Sequence, residues 1–443
     1  MIDSYEEYPE TLNRLFLEDK TKGFDARTEG FYARTITFQV TEDCCMKCSY
    51  CYQHNKKPNV MPFEIAKQFI DDLLSGSEKL TNYIPKETVG IVLEFIGGEP
   101  FLEIDLVSKI TDYYFNECAR LHHPWTTRTR ISISTNGLLY FEPKVQEYIR
   151  KHQRHLSLNI TVDGNKELHD SCRFDLNGNG TYDRVISAVD DYTKRYGKGA
   201  LPTKMTVSPD NVGKLSQAVI AMIEYGYPIV HFNPVYEDVW STEDAKIFYE
   251  QLKELADYLI KNNKLDPLVC PYLSPTYCHP MLEEDNHNWC GGTGSMLAID
   301  WQGNLYPCIR YMPSSLGEQR EPYVIGTVKD GITSTEEQKY RIDCLNCITR
   351  KSQSTEECFN CSIASGCGWC SGYCYELYGT PNKRTTFICD LQKARSLALT
   401  YMWNKYYKKI HSKDVYKMDI PDDWALQIVN PEELNMLKEL EKE

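Results

Sequence analysis

Residues 35–51 have the sequence TITFQVTEDCCMKCSYC, in which an alternating apolar run leads into closely spaced cysteines. The alternation over residues 35–40 predicts a β-strand. Cys44, Cys48 and Cys51 follow on the loop after that strand, with C-x3-C-x2-C spacing. Three thiolates on one short loop can hold three irons of a cubane cluster and leave the fourth iron open. The spacing therefore predicts an iron–sulfur site, although a zinc ion or a structural cluster would use the same kind of ligand.

Composition narrows the class of protein. The chain has 443 residues, enough for about two to three domains, and its 49 basic and 63 acidic side chains give a net charge of −14. An acidic chain without a dense basic run is poorly suited to nucleic acid. No stretch approaches the ~20 apolar residues of a membrane helix, and the acidic start lacks the features of a signal peptide. We expect a cytoplasmic protein with neither a nucleic-acid nor a membrane partner.

Further strand patterns follow the first, each separated from the next by a helical pattern. They cover residues 91–96, 131–134, 158–162, 205–207 and 229–232. This alternation predicts an α/β fold with a parallel sheet. In such folds the chemistry gathers at the carboxyl ends of the strands, and polar motifs stand at these ends here.

Three of these motifs carry a family resemblance: residues 97–100 (GGEP), 134–137 (STNG) and 161–164 (TVDG). Together with the cysteine triad they make the chain resemble the radical SAM enzymes, and residues 161–173 are similar to the branch that modifies peptides. The resemblance implies a partial (β/α)6 barrel in which the open iron binds S-adenosylmethionine and one electron cleaves it to a 5′-deoxyadenosyl radical. It assigns no catalytic side chain, and it implies cofactor binding by Tyr50, Gly97, Gly98, Glu99, Ser134, Asn136, Thr161, Arg173 and Val235.

A second cysteine array lies towards the C-terminus of this chain of 18 cysteines. In a reducing cytosol, clustered cysteines more often hold metal than form disulfides. The array resembles the SPASM domain, which holds auxiliary 4Fe–4S clusters, although zinc ribbons also use CxxC pairs. The resemblance implies that an outer cluster is bound by Cys358, Cys361, Cys367 and Cys389.

The inner auxiliary cluster departs from the family pattern. The resemblance gives it Cys290 and Cys308, but the usual third position falls on Ser371, so Cys370 or Cys374 must replace it. A fourth ligand could be Cys278 or Cys270, or one iron could stay open to a substrate thiolate. The Cys344-x2-Cys347 pair is extra, and the sequence leaves open whether it ligates a cluster or is a reduced surface pair. Including the triad site, we expect three 4Fe–4S clusters, held by Cys44, Cys48, Cys51, Cys290, Cys308, Cys358, Cys361, Cys367, Cys370, Cys374 and Cys389.

The resemblance also suggests a division of the chain. We expect an N-terminal extension at 1–34, the partial barrel at 35–240, a bridging helical segment at 241–289, the SPASM domain at 290–389 and a C-terminal helical region at 390–443. Only 34 residues precede the first strand pattern, which is too few for the winged-helix domain with which related enzymes bind a leader peptide.

The expected substrate is a ribosomally made, cysteine-rich precursor peptide, since the array is similar to maturases of peptides with repeated Cys-x-x-x units. The favoured reaction is thioether formation, with carbon–carbon crosslinking and epimerisation as alternatives. Sulfatase maturation is disfavoured, because enzymes of that branch carry Asp directly after the cysteine that matches Cys308, and this chain has Ile309. By the resemblance, the STNG segment lies near the ribose of the cofactor, and a non-catalytic electron carrier would need neither it nor the GGEP motif. The expected second partner is a one-electron reductant such as a flavodoxin or ferredoxin.

Overall fold

The computed structural model describes residues 33–81, 83–85, 87–197, 203–286, 288, 290–294, 296–318 and 320–442. Of the N-terminal extension predicted at 1–34, residues 1–32 lie outside the described residues, and residues 33 and 34 begin the first strand.

Six parallel strands and their helices form the first half of the fold, as the sequence predicts. Strands β1 to β4 are hydrogen-bonded in chain order, and β5 pairs with β6 in a separate ribbon. The strands are β1 Ala33–Gln39, β2 Gly90–Ile96, β3 Thr129–Thr135, β4 Leu156–Ile160, β5 Thr203–Val207 and β6 Val230–Pro234. The helices between them are α1 Phe63–Leu74, α2 Glu78–Thr81, α3 Ile104–Arg120, α4 Pro143–His152, α5 Lys166–Cys172, α6 Tyr182–Tyr196 and α7 Leu215–Tyr225.

Burial on the sheet explains why these runs become strands. Ile36, Phe38, Leu93, Phe95 and Ile131 are fully buried and belong to one apolar core. Phe38 packs against Phe95 across the β1–β2 pair, with ring centres 5.8 Å apart. Because residue 39 lies opposite residue 96 in the register, β1 and β2 end at the same edge. The cysteine loop and the GGEP motif therefore start side by side.

A second group of short strands extends the same sheet. Strand β7 (Met296–Ile299) pairs in parallel with the free edge of β1, and β8 (Asn304–Tyr306), β9 (Gly326–Thr327) and β10 (Gly331–Ile332) follow in antiparallel order. These strands are too short for the sequence pattern to predict. They join the cysteine-rich half of the chain directly to the barrel sheet.

Two long helices connect this half to the outside of the barrel. Helix α8 (Thr242–Lys261) begins at Ser241, which forms a capping box with Asp244, as expected for a helix start in this region. The remaining helices are α9 Glu336–Asn346, α10 Arg350–Gln353, α11 Glu356–Phe359, α12 Ser371–Tyr378, α13 Cys389–Lys409, α14 Asp422–Ile428 and α15 Pro431–Leu440. Helix α13 packs along α8, where the Tyr401 hydroxyl donates to Asp257 at 2.8 Å.

Within the described ranges, no helix is at once long and apolar enough to cross a bilayer.

Candidate active site at the mouth of the barrel

A cavity of about 450 Å³ opens at the carboxyl edge of the parallel strands. Its lining includes the three cysteines of the triad and every residue for which the sequence predicts cofactor binding. These are Cys44, Cys48, Cys51, Tyr50, Gly97, Gly98, Glu99, Ser134, Asn136, Thr161, Arg173 and Val235. The structure thus brings together residues that lie on six separate segments, while their cofactor-binding role stays a prediction.

Backbone hydrogen bonds hold the triad loop in place. The amide groups of Lys47 and Ser49 donate to the carbonyls of Phe174 and Cys172, each at 2.9 Å. On the other side, the Gly98 amide donates to the carbonyl of Thr41 at 3.2 Å. The loop is therefore clamped between β2 and the segment after α5.

Gly98 is required by this close approach. A Cβ atom at this position would lie 2.2 Å from the Asp43 carbonyl oxygen and 2.7 Å from the Cys44 Cβ. Any side chain there would push the cysteine loop away from the end of β2. The second glycine of the GGEP motif thus has a packing reason in addition to its predicted contact with the cofactor.

Glu99 fixes the end of β3 from within the site. Its side chain is 1% exposed, and its carboxylate accepts hydrogen bonds from the Thr135 hydroxyl at 2.7 Å and the Asn136 amide at 2.8 Å. Burial raises the pKa of Glu99 to about 7, against the lowering effect of these hydrogen bonds. The Glu99 side chain thus holds Thr135 and Asn136 of the STNG segment in place at the wall of the cavity.

Arg173, Tyr50 and Asp163 form a buried network on the opposite wall. The Arg173 guanidinium donates to the Tyr50 hydroxyl at 2.8 Å, and that hydroxyl donates to Asp163. Burial raises the pKa of the Asp163 carboxyl, although the nearby Arg173 charge opposes the shift. The Arg173 Nε is buried and has no hydrogen-bond partner within the described part of the chain. An unsatisfied guanidinium nitrogen at a cavity wall suits a ligand that carries carboxylate or hydroxyl oxygens.

The donor set of the triad fits a cluster. Burial raises the pKa of the Cys48 thiol to about 11, against the effect of Arg173. A thiolate at this position therefore needs added positive charge, which bound iron supplies. In the described ranges, no group of three or more His, Cys, Asp or Glu side chains is arranged to hold a single metal ion.

We call inner site the group of Cys290, Cys308 and Cys370, three of the cysteines predicted for the inner cluster, whose charges act on one another. A Cβ atom on Gly292 would lie 2.9 Å from the Cys308 Sγ and 3.6 Å from the Cys290 Sγ, so the glycine keeps the space beside both sulfurs open. Burial, and after it the charge of Cys370, raises the pKa of the Cys290 thiol. Cys370 also lines the cavity at the barrel mouth, so the inner site and the triad share one space.

The outer site is a second cavity, of about 230 Å³. All four cysteines predicted for the outer cluster line it: Cys358, Cys361, Cys367 and Cys389. Cys389 begins α13 and is exposed, so this site reaches the surface of the protein.

The other cysteines considered for the C-terminal array line neither cavity. Cys374 lies one turn beyond Cys370 on α12 and is fully buried, so the structure favours Cys370 as the third thiol of the inner site. Cys278 accepts a hydrogen bond from Gln392 at 3.3 Å and lies on the side of the outer site, while Cys270 is buried in the core. Cys344 and Cys347 lie at the end of α9.

The cavity also contains charged residues that the sequence analysis missed. Lys56 lines it beside the triad, and Glu237 and Arg310 line it beside Cys370. Arg310 pairs with Glu237 at 3.0 Å and lies over the Tyr52 ring at 4.8 Å. Glu237 and Arg310 are 73 residues apart, so no local sequence motif could predict that they pair.

A (β/α) barrel with three thiols and a glycine-rich strand end at its mouth is the architecture of the radical SAM enzymes. The comparisons with known proteins agree. The family model of a 4Fe-4S single cluster domain matches residues 29–186. The radical SAM cyclopropyl synthase TigE of Paramaledivibacter caminithermalis is 22% identical over 88% of this chain and 77% of that protein. A cysteine-type anaerobic sulfatase-maturating enzyme of Clostridium perfringens is 24% identical over 62% of this chain and 73% of that protein.

Solved structures give the same result for the fold. The structure of anSMEcpe with bound AdoMet and Kp18Cys peptide has a TM-score of 0.58 at 16% identity, covering 85% of this chain and 98% of that chain. Streptococcus suis SuiB bound to precursor peptide SuiA has a TM-score of 0.50 at 14% identity, covering 82% and 78%. The predicted fold class and the resemblance to peptide-modifying radical SAM enzymes are therefore confirmed.

Proposed function

We propose that the chain is a radical SAM enzyme that forms thioether crosslinks in a ribosomally made, cysteine-rich peptide. One observation carries this proposal: the triad of Cys44, Cys48 and Cys51 and the inner-site Cys370 line the same cavity. A peptide in that space would contact a radical source on one side and an auxiliary cluster on the other. A non-catalytic electron carrier needs no such shared cavity, so this alternative is the least favoured.

The chain's own residues would hold the cofactor in this space. The triad thiolates would bind three irons, and Arg173, with its unsatisfied Nε, would contact an oxygen of S-adenosylmethionine. Asn136 lines the cavity on the segment expected near the ribose of the cofactor, and Thr161 lines it where contact with the cofactor is expected. Bound and reduced, this pair of cofactors would supply a 5′-deoxyadenosyl radical that abstracts a carbon-bound hydrogen from the peptide.

The inner site supports the second half of the reaction. It brings three thiols together, which would leave one iron open to a cysteine thiolate of the peptide. Bond formation between the peptide carbon radical and that sulfur releases the thiol proton to solvent and one electron. Per crosslink the peptide loses two hydrogen atoms, one to deoxyadenosine and one as the proton and electron. The proposal includes three 4Fe–4S clusters, the SPASM assignment of residues 290–389 and a flavodoxin or ferredoxin as reductant.

Carbon–carbon bond formation is the second candidate. The likeness to a protein named as a cyclopropyl synthase extends over 88% of this chain and favours it over epimerisation. Sulfatase-type maturation has less support, although the chain is similar to sulfatase-maturating enzymes. Ile309, which follows Cys308, lines the cavity where that branch carries Asp, and an aliphatic side chain cannot accept a proton.

The test starts with anaerobically reconstituted protein, dithionite and S-adenosylmethionine, with release of 5′-deoxyadenosine as the readout. The second step is mass spectrometry of a co-expressed precursor peptide. Thioether formation predicts a loss of two hydrogens per crosslink and one fewer alkylatable thiol. An equal mass loss with all thiols still alkylatable would instead establish carbon–carbon bonding. An unchanged mass with deuterium uptake from solvent would establish epimerisation.

A further inference from the structure

Two buried arginines stand beside the outer site without carboxylate partners in the described part of the chain. Arg384 is 6% exposed and Arg350 is 2% exposed. The Arg384 guanidinium donates to the Cys367 Sγ at 3.0 Å and stacks on the Trp369 ring at 4.0 Å. Arg350 lies over the Phe359 ring at 5.6 Å. Both guanidinium groups thus lie against aromatic faces, and that of Arg384 is also bonded to an outer thiol.

Each of these arginines also has an unsatisfied buried nitrogen, the Nε of Arg384 and the Nη2 of Arg350. Burial of a charge is unfavourable unless an opposite charge or hydrogen-bond acceptor accompanies it. Burial, and then the neighbouring Arg384 charge, lowers the pKa of Arg350, which shows that the two cations repel each other. The outer site is therefore built for an anionic occupant, and a four-thiolate iron–sulfur cluster is one.

The inner site differs in its charge balance. Its arginine, Arg310, pairs with Glu237 at 3.0 Å and Glu376 at 3.8 Å. The two carboxylates offset the one guanidinium charge there. The outer site therefore has an excess of buried positive charge that the inner site lacks.

We propose that Arg350 and Arg384 give the outer cluster a higher reduction potential than the inner cluster, so that the outer site is the acceptor for the electron released by peptide oxidation. One-electron reduction adds a unit of negative charge to a cluster that is already anionic. Nearby buried cations and a hydrogen bond to a ligand sulfur stabilise the reduced form more than the oxidised form. The inference rests on the auxiliary clusters of the proposed function. Cys389 is exposed, so the electron can pass on to an oxidised one-electron carrier of the ferredoxin or flavodoxin class.

The test is a redox titration followed by electron paramagnetic resonance. It uses the full chain with Cys44→Ala, Cys48→Ala and Cys51→Ala, which removes the triad signal. The outer transition is the one that Cys389→Ser alters. We expect Arg350→Gln to make one-electron reduction of the outer cluster about tenfold less favourable, a shift of about 59 mV to more negative potential. Arg384→Gln should shift it in the same direction.

Two further variants separate charge from packing. Arg384→Lys keeps the cation but not the planar stack, so most of the potential should be retained. Lys351→Gln removes a charge from the exposed residue next to Arg350, and the potential should stay unchanged.

Each outcome supports or overturns the inference. An unchanged or more positive potential in Arg350→Gln overturns it, and so does an equal shift in Lys351→Gln. If Arg384→Gln does not retain the outer cluster, the reduction potentials of Arg350→Gln and Arg384→Lys test the inference instead. A parent protein whose iron content and spectra show no outer cluster overturns the auxiliary-cluster assignment together with this inference. Intact clusters with unshifted potentials overturn this inference alone.

Discussion

The triad at the barrel mouth and the outer cysteine site hold their thiols in different ways. The triad lies on one loop, residues 44–51, which follows a buried strand and is clamped by backbone hydrogen bonds. The outer thiols come from two segments, residues 358–367 and the start of α13 at Cys389. The first site is built at the end of the sheet, whereas the second joins a segment with one short helix to the start of a long helix.

This difference indicates what each set of cysteines does for the protein. The parallel sheet beneath the triad is anchored by fully buried apolar side chains, so the loop should keep its place whether or not iron is bound. Around the outer site, helix α11 has only four residues, and a bound cluster would serve as a crosslink. Loss of the triad should therefore abolish activity without lowering stability. Loss of the outer cluster should first lower the stability of the fold.

The largest expected effect is on the triad. Cys48→Ala removes one of the three predicted iron ligands, so release of 5′-deoxyadenosine should fall by more than about 100-fold. Loss of a ligand should cost more activity than the roughly 10–100-fold that loss of a residue hydrogen-bonded to a ligand costs. The thermal unfolding midpoint should stay near that of the parent protein. Cys45→Ala, in the same loop, is the control and should retain most of the activity. Equal losses in both variants would contradict the assignment of the triad.

The second prediction concerns the inner site, which faces the same cavity. Cys370→Ala should lower peptide crosslinking by at least about tenfold while deoxyadenosine release stays within about twofold, because only the coupling to the peptide thiol is removed. Both products are measured in one reaction by mass spectrometry and liquid chromatography. Cys374 lies one turn away and outside both cavities, so Cys374→Ala should leave the ratio of peptide crosslinking to deoxyadenosine release unchanged. If Cys374→Ala uncouples them instead, Cys374 is the inner ligand.

The third prediction tests the crosslinking role of the outer site. Cys389→Ser frees the start of α13 from residues 358–367, so the apparent unfolding midpoint of the reconstituted protein should fall by about 5–10 °C. Differential scanning calorimetry under anaerobic conditions gives the value. The matched control is Cys347→Ser, an exposed cysteine outside both cavities, which should leave the midpoint unchanged. Equal midpoints for all three proteins would remove the contrast between the two sites.

The sequence predicts the barrel mouth well because local patterns determine it. The strand over residues 35–40 is found at Ala33–Gln39, and the run at 91–96 is found at Gly90–Ile96. In both cases apolar alternation and a glycine-rich or cysteine-rich ending mark the strand without help from distant residues. Since parallel strands end at one edge, the motifs after them converge as expected.

The cysteine-rich half is predicted less completely. Strands β9 and β10 have two residues each, which is too short for an alternating pattern to be detected. The choice between Cys370 and Cys374 depends on which of the two faces Cys308, and spacing alone left both open. The Arg310–Glu237 pair and the buried Arg350 are placed by contacts between distant segments. These features become visible only in three dimensions.

The smallest expected effect is on the pH dependence of stability, and it comes from a residue at the opposite end of the barrel from the triad. No thiol takes part in it, so it separates the barrel from both cysteine sites. His155 precedes β4, packs against Phe115 at 4.8 Å, and donates from Nδ1 to the Thr129 carbonyl at 3.0 Å. Burial lowers the pKa of His155 to about 4. A histidine in the unfolded chain titrates near pH ~6.5, so protons bind the unfolded state more readily.

Stability should therefore fall as the pH drops below ~6.5, and the loss from His155 should level off near pH ~4. Between pH ~7.5 and pH ~5.5 this residue should cost about 1.4 kcal/mol. His155→Gln keeps an amide donor for Thr129 but does not titrate, so its unfolding midpoint should change less with pH than that of the parent protein. His54→Gln makes the same change at an exposed site and should preserve the parent slope. If both variants keep the slope of the parent protein, His155 does not contribute to its acid sensitivity.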